Sequence, residues 1–320
     1  SEIDALKFAG ILTVILIHSL RAPWDPRISP AELWLGAVTR FAVPGFLFCS
    51  GFLYATADRI RAATVGRRIR RVLIPYGVAS VAAQLWWLAH GQGRESATAV
   101  TELLLASSFG PYYYVFVHFG LVLIAPALAR LPRTAIAVLA ALLVASQGVF
   151  ESSPDLLLPF FWHLRNPLLW WGYFLLGWLI RLHYETIQRW IGERRGLLVA
   201  GFAVAVAACT WFATSGDKDV TTRVAMWLEI HAVLGLLFAA TCGLPRAPGP
   251  IRAIADATYA IYLFHLFFIY AVEDFMRPAT NRFDGAFISA AWFGGLIGSL
   301  LLIRLARFAL GSRSRDVIGA

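Results

Sequence analysis

The chain has 320 residues, of which 59% are hydrophobic and only 15% charged, with a mean hydropathy of +0.66. A soluble domain carries about 25% charged residues, and a chain of this length cannot build a core large enough to hide so much apolar surface. The composition therefore excludes an ordinary soluble protein and names the bilayer as solvent. The net charge of +9 fits arginine-rich cytoplasmic loops rather than a nucleic-acid partner.

Apolar segments of roughly spanning length are expected near 5–20, 34–56, 71–90, 112–130, 134–150, 166–183, 196–214, 222–243, 256–275 and 285–308. The reading is an all-α, polytopic membrane bundle of about ten transmembrane helices filling one domain, residues 1–320. The first segment has no small-residue cleavage site after it, and His18 interrupts its apolar end. It is expected to stay in the membrane rather than be removed as a leader, with a few residues before Ser1 trimmed. The stretch 98–108 is too short to span and reads as an interfacial or re-entrant piece.

Loop charges test the count. Arg59, Arg61, Arg67, Arg68 and Arg70 against Asp58 make the second connection cytoplasmic. With two segments before it, the N-terminus is expected in the cytoplasm. Arg130 and Arg133, then Arg181, Arg189, Arg194 and Arg195, then Arg246 and Arg252 fall on the same side. Arg304, Arg307, Arg313 and Arg315 put the C-terminus there too. The other connections carry mixed charge: Arg21, Asp25, Arg27 and Glu32; Arg94 and Glu95; Glu151 and Asp155; Asp217, Lys218 and Asp219; Glu273, Asp274 and Asp284. Ten segments satisfy this alternation, whereas nine or eleven break it.

Polar side chains at membrane depth are costly and face a cavity or a partner. Counting 1.5 Å per residue, His18 lies about 20 Å into the first segment, past the midplane, and His265 about 15 Å from the inner face on the ninth. His118 and Glu229 fall about 10 Å below the outer face on the fourth and eighth segments, with His231 one step deeper. Each is also an ordinary helix–helix hydrogen-bond partner. Several imidazoles and a carboxylate at similar depth favour a functional cavity, where a neutral imidazole can take a proton. Cys49, Cys209 and Cys242 lie in apolar segments with neither metal nor disulfide spacing, and no metal site is expected.

Three further patterns carry chemistry. In Gly66-Arg67-Arg68-Ile69-Arg70-Arg71-Val72-Leu73-Ile74-Pro75-Tyr76, Arg68 and Arg71 are three apart and share a helix face, where two guanidiniums can grip a phosphate. The plainer reading is anchoring to anionic lipid. Val43-Pro44-Gly45-Phe46-Leu47-Phe48-Cys49-Ser50-Gly51-Phe52 breaks or thins its span. Ser50 is its candidate nucleophile, with no base at local spacing. Ten tryptophans, Trp24, Trp34, Trp86, Trp87, Trp162, Trp170, Trp171, Trp211, Trp227 and Trp292, fall toward the outer side. They form an aromatic belt or a stacking surface for sugar rings.

Four of these stretches, in order, resemble the acyltransferase-3 family of bacterial membrane acyltransferases. Ile3-Asp4-Ala5-Leu6-Lys7 … His18 is similar to its motif of a basic residue, a ten-residue gap and a histidine, with Lys7 where arginine is usual. Val43-Pro44 … Ser50-Gly51-Phe52, Arg68 … Arg71 … Pro75-Tyr76, and Ala257-Thr258-Tyr259 … Tyr262 … His265 resemble three others. Tyr113-Tyr114-Val115 departs from the family's Trp-Phe-Leu, which puts acceptor contacts at Tyr113 in question. The resemblance implies a multi-pass enzyme of the bacterial cytoplasmic membrane with no bound cofactor. Acyl-CoA, acetyl first, would enter from the cytoplasm with its phosphates at Arg68 and Arg71. A glycan or other hydroxyl acceptor would come from the outer side. His18 would be either the base or the acyl carrier, Lys7 would position donor or helix, and His265, Tyr113, Ser50 and Glu229 would be further cavity residues. The acceptor stays open among polysaccharide, lipid-linked sugar, peptidoglycan and small metabolites. The alternative is a proton-coupled transporter or lipid-linked-sugar flippase with a histidine relay, but the half-to-half similarity common in such proteins is missing.

Overall fold

The computed structural model describes the chain except for residues 22–24, 26, 56–61, 154–155, 157, 216–219 and 277–284. Trp24, Asp58, Arg59, Arg61, Asp155, Asp217, Lys218, Asp219 and Asp284, all used above, lie outside the described residues. The rest is helical: α1 (Glu2–Ser19), α2 (Pro30–Thr39), α3 (Ala42–Tyr54), α4 (Ala62–Ala89), α5 (Ser96–Leu104), α6 (Tyr113–Leu128), α7 (Arg133–Ser152), α8 (Phe160–His163), α9 (Pro167–Leu182), α10 (Tyr184–Ser215), α11 (Val220–Thr241), α12 (Gly249–Asp256), α13 (Thr258–Met276), α14 (Gly285–Leu310) and α15 (Ser314–Val317). No strand occurs among the described residues.

Every expected segment coincides with a helix. Eight stretches of described helix are long and apolar enough to cross a membrane, α2 and α3 counting together as Pro30–Tyr54. The two remaining segments are α1, which carries Glu2, Asp4 and Lys7 within 18 residues, and α9, which has 16 residues. The chain is thus a polytopic helical membrane protein. It forms two compact units, each discontinuous in sequence: residues 1–58 with 130–255, and residues 59–129 with 256–320.

The first unit is organised around α9. A methyl group at Gly51 of α3 would run into the carbonyl of Phe174 on α9, and one at Gly177 of α9 would run into the carbonyl of Phe48 on α3. The two backbones therefore touch at a crossing that only glycine allows on both sides. On another face of α9, a methyl group at Gly172 would sit 3.1 Å from the backbone nitrogen of Val144 on α7. On α1, one at Gly10 would sit 3.0 Å from Phe46 Cζ, so the Phe46 ring packs on α1 where Gly10 leaves room.

The span Pro30–Tyr54 breaks close to where its proline and glycine predict. Pro44 sits in the first turn of α3, where its missing N–H costs nothing. The interruption itself falls at Arg40 and Phe41, between α2 and α3.

The second unit is stitched by tyrosine hydroxyls. Pro75 inside α4 removes the amide that would meet the Arg71 carbonyl and opens the helix ladder there. The Tyr259 hydroxyl of α13 donates to the neighbouring Val72 carbonyl at 2.7 Å. Tyr112 donates to the Leu263 carbonyl at 2.6 Å, Tyr262 to the Pro111 carbonyl, and Tyr76 to the Leu103 carbonyl at 2.5 Å. Each bond gives a tyrosine hydroxyl a partner that membrane hydrocarbon cannot supply.

The short α5 lies along α4. Its Glu102 accepts from Gln84 at 2.7 Å, and Trp87 donates to the Ser108 carbonyl at 3.0 Å. The chain thus folds back along α4 before α6 begins. Tyr112 then arrives beside Tyr76 in the middle of α4, with ring centroids 5.8 Å apart.

Candidate functional site

Helix α1 is continuous from Glu2 to Ser19, with Ser1 and Asp4 forming a reciprocal cap at its start. Lys7 and His18 are eleven residues apart, about three turns, so they lie on one face roughly 16 Å from each other. Ile11 and Val14, both buried, occupy the turns between them. His18 stands one residue before the end of the helix. Ser50 is half-buried on α3 next to buried Cys49.

The same unit holds a polar cluster that the sequence reading saw only in part. Glu229 on α11 is 1% exposed and accepts a hydrogen bond from the Thr210 hydroxyl of α10. Arg40, at the α2–α3 break, lies within electrostatic reach of Glu229 and of Glu151 on α7, without a direct ion pair to either. On the opposite flank of α11, the Trp227 indole donates to Gln147 of α7 at 3.3 Å. The His231 ring lies 5.2 Å, centroid to centroid, from Tyr173 of α9.

Arg68, Arg71, Tyr113 and His265 belong to the second unit. The arginines share a helix but not an environment. Arg71 is exposed, whereas Arg68 is half-buried, with His118 of α6 within its electrostatic reach. His118 stacks on Tyr114, 5.6 Å between centroids. It therefore sits toward the arginine-bearing end of α4 and not about 10 Å below the outer face. The fold-back of 96–112 starts α6 in mid-helix, which shifts every depth counted along it. His265 is fully buried, and its Nδ1 is 2.8 Å from the Tyr262 carbonyl. A carbonyl only accepts, so Nδ1 carries the proton and the lone pair of the neutral ring is on Nε2. Tyr113 neighbours Tyr262 in the same aromatic cluster.

Among the described residues no group of three or more His, Cys, Asp or Glu side chains is arranged to hold a metal ion. The sequence model of the acyltransferase-3 family, described as an acyltransferase domain, matches residues 1–305. The chain belongs to the acyltransferase-3 family. It is therefore a multi-pass membrane acyltransferase, acting between an acyl donor and an acceptor in a lipid bilayer. No curated protein and no solved structure matches it.

The four motifs of this acyltransferase fall on α1, α3, α4 and α13. Two of them meet physically, since Tyr259 of the closing motif bonds the Val72 carbonyl within the arginine motif. Sequence reasoning missed Arg40, Gln147 and Tyr173. An arginine and a glutamine within spans were signals available to find the first two. Tyr173 carries none, because a tyrosine in an apolar segment is unremarkable.

Proposed function

We propose that this protein transfers a short acyl group, acetyl first, from acyl-CoA to a hydroxyl of a cell-surface or lipid-linked glycan at the bacterial cytoplasmic membrane. His18 is the general base. It takes the proton of the acceptor hydroxyl as the oxygen attacks the thioester carbonyl. The carbon–sulfur bond breaks, and the departing CoA thiolate takes the proton back from the imidazolium. Ester and free CoA thiol result, and the base is restored. The observation that carries the reading is the placement of Lys7 and His18 on one face of one uninterrupted helix, in a chain matched by the family along 1–305. The test is acyl transfer by protein purified into nanodiscs, with radiolabelled acetyl-CoA and glycan acceptors. Proton-coupled flux of a lipid-linked sugar in CoA-free vesicles, without acyl transfer, would overturn it in favour of transport.

Arg68 and Arg71 supply the donor contacts in this reading, as cationic partners for the CoA phosphates. Their different burial separates their variants. Arg71→Ala is expected to raise the KM for acetyl-CoA about tenfold, the loss of one charge-assisted contact, with Tm unchanged. Arg68→Ala is expected to raise that KM similarly and to lower Tm as well, because its side chain is packed into the protein. Both effects on KM shrink at high salt. If both variants keep the wild-type KM, the arginines anchor the helix to lipid and are removed from the donor site.

A further inference from the structure

The flank of α11 that faces α7 and α9 has an arrangement beyond what packing requires. Tyr173 is 0% exposed, and its buried hydroxyl has no hydrogen-bond partner of normal geometry among the described residues, although Gln147 is close by. The His231 Nδ1 is 2.8 Å from the Trp227 carbonyl one turn back. That contact fixes the proton on Nδ1 and leaves the Nε2 lone pair of the neutral ring as an acceptor. Nε2 is buried and also lacks a partner among the described residues. With the two rings 5.2 Å apart between centroids, a buried donor and a buried acceptor, neither in a hydrogen bond of normal geometry, share one flank of α11. A buried polar group without a partner is costly, and here two share one flank of α11.

The mixture identifies the ligand chemistry. An anion such as phosphate wants donors alone, and a metal ion wants acceptors alone. A hydroxyl group both donates and accepts, and neighbouring hydroxyls on one ring do so in pairs. The depth also fits. Gln147 lies five residues from the end of α7, Tyr173 six from the start of α9, and His231 eleven from the start of α11. All three are therefore roughly 7–17 Å from the helix ends that the loop charges place outside.

We infer that Tyr173 and His231 form the binding site for the acceptor, a polyhydroxylated ring whose hydroxyls accept from Tyr173 and donate to His231 Nε2. The inference rests on the reading of the protein as an O-acyltransferase with a hydroxyl acceptor.

The test measures binding of methyl α-D-glucopyranoside, methyl α-D-galactopyranoside and methyl α-D-mannopyranoside to the nanodisc protein by saturation-transfer NMR, beside Tm and acetyl-CoA affinity. Tyr173→Phe and His231→Phe are each expected to weaken the best probe about fivefold, the loss of one hydrogen bond, with Tm and acetyl-CoA affinity held. Should His231→Phe fail to fold, Tyr173→Phe decides alone. Unchanged probe affinity in Tyr173→Phe overturns the site and leaves its polar atoms to ordered water. Wild-type protein that binds none of the three probes overturns it as well. Wild-type protein that binds a probe in a Tyr173-dependent way, yet transfers no acetyl group, leaves the site standing and removes the acyltransfer reading instead.

Discussion

His18→Ala is expected to lower kcat for acyl transfer by about two to four orders of magnitude, the span that a positioned general base contributes. The KM for acetyl-CoA should stay near the wild-type value. His18 is one residue from the end of α1 and half-buried, and the side chain is small, so the helix and its contacts at Ile11 and Val14 survive the change. The loss then appears in the chemical step, the signature of an interaction made in the transition state alone. Lys7→Ala is expected to act differently. It lies about three turns away on the same face and cannot touch an acceptor held at His18. It should change the KM for the donor more than kcat. Quenching a reaction of wild-type protein with labelled acetyl-CoA before acceptor is added separates base from acyl carrier, since only the carrier retains label on protein. Full activity in His18→Ala removes the residue from both roles.

The helices were legible because two independent signals coincide in a membrane protein. Apolar length marks each span, and arginine distribution marks every second connection, so an error in one is caught by the other. The signals fail where the chain leaves that plan. Segment 96–112 turns back along α4, and depth counted along the next span then puts His118 at the wrong end. Residue count measures distance along a helix, not distance from a surface that the helix does not reach. The grouping of 1–58 with 130–255 within the expected single domain is set by contacts between distant segments, which leave no periodic trace. The candidate polar residues divide the same way. His18, Arg68, Arg71 and His265 stand out as candidates in the sequence because motif spacing or cost at depth marks them. Arg40 had equal cost and was passed over beside the stronger pattern of Val43-Pro44. Tyr173 became visible only as an unfilled hydroxyl next to an imidazole, a property of tertiary structure.

Gly51→Ala should be among the most destabilising single-methyl changes in the protein. Its added carbon meets the carbonyl oxygen of Phe174, a backbone atom that cannot rotate away as a side chain would. The helices α3 and α9 must separate, and overpacking of this kind costs about 1–3 kcal/mol, occasionally more. Gly177→Ala meets the Phe48 carbonyl across the same crossing and should cost a similar amount. Because one separation relieves both collisions, the double variant should lose less than the sum of the singles. Gly201→Ala on α10 is the control: nothing lies within 4 Å of the added methyl, so Tm should hold or rise slightly. Thermal melting of the nanodisc protein checks all four, and a wild-type Tm in Gly51→Ala would refute the crossing. The consequence reaches function through one residue. Tyr173 directly precedes the Phe174 that Gly51 touches, so parting α3 from α9 moves the Tyr173 hydroxyl relative to His231. Any Gly51→Ala protein that still folds is therefore expected to lose polyol affinity along with stability. On the proposed acceptor site, the Ser50-Gly51-Phe52 motif would act on acceptor binding through the closeness of two backbones.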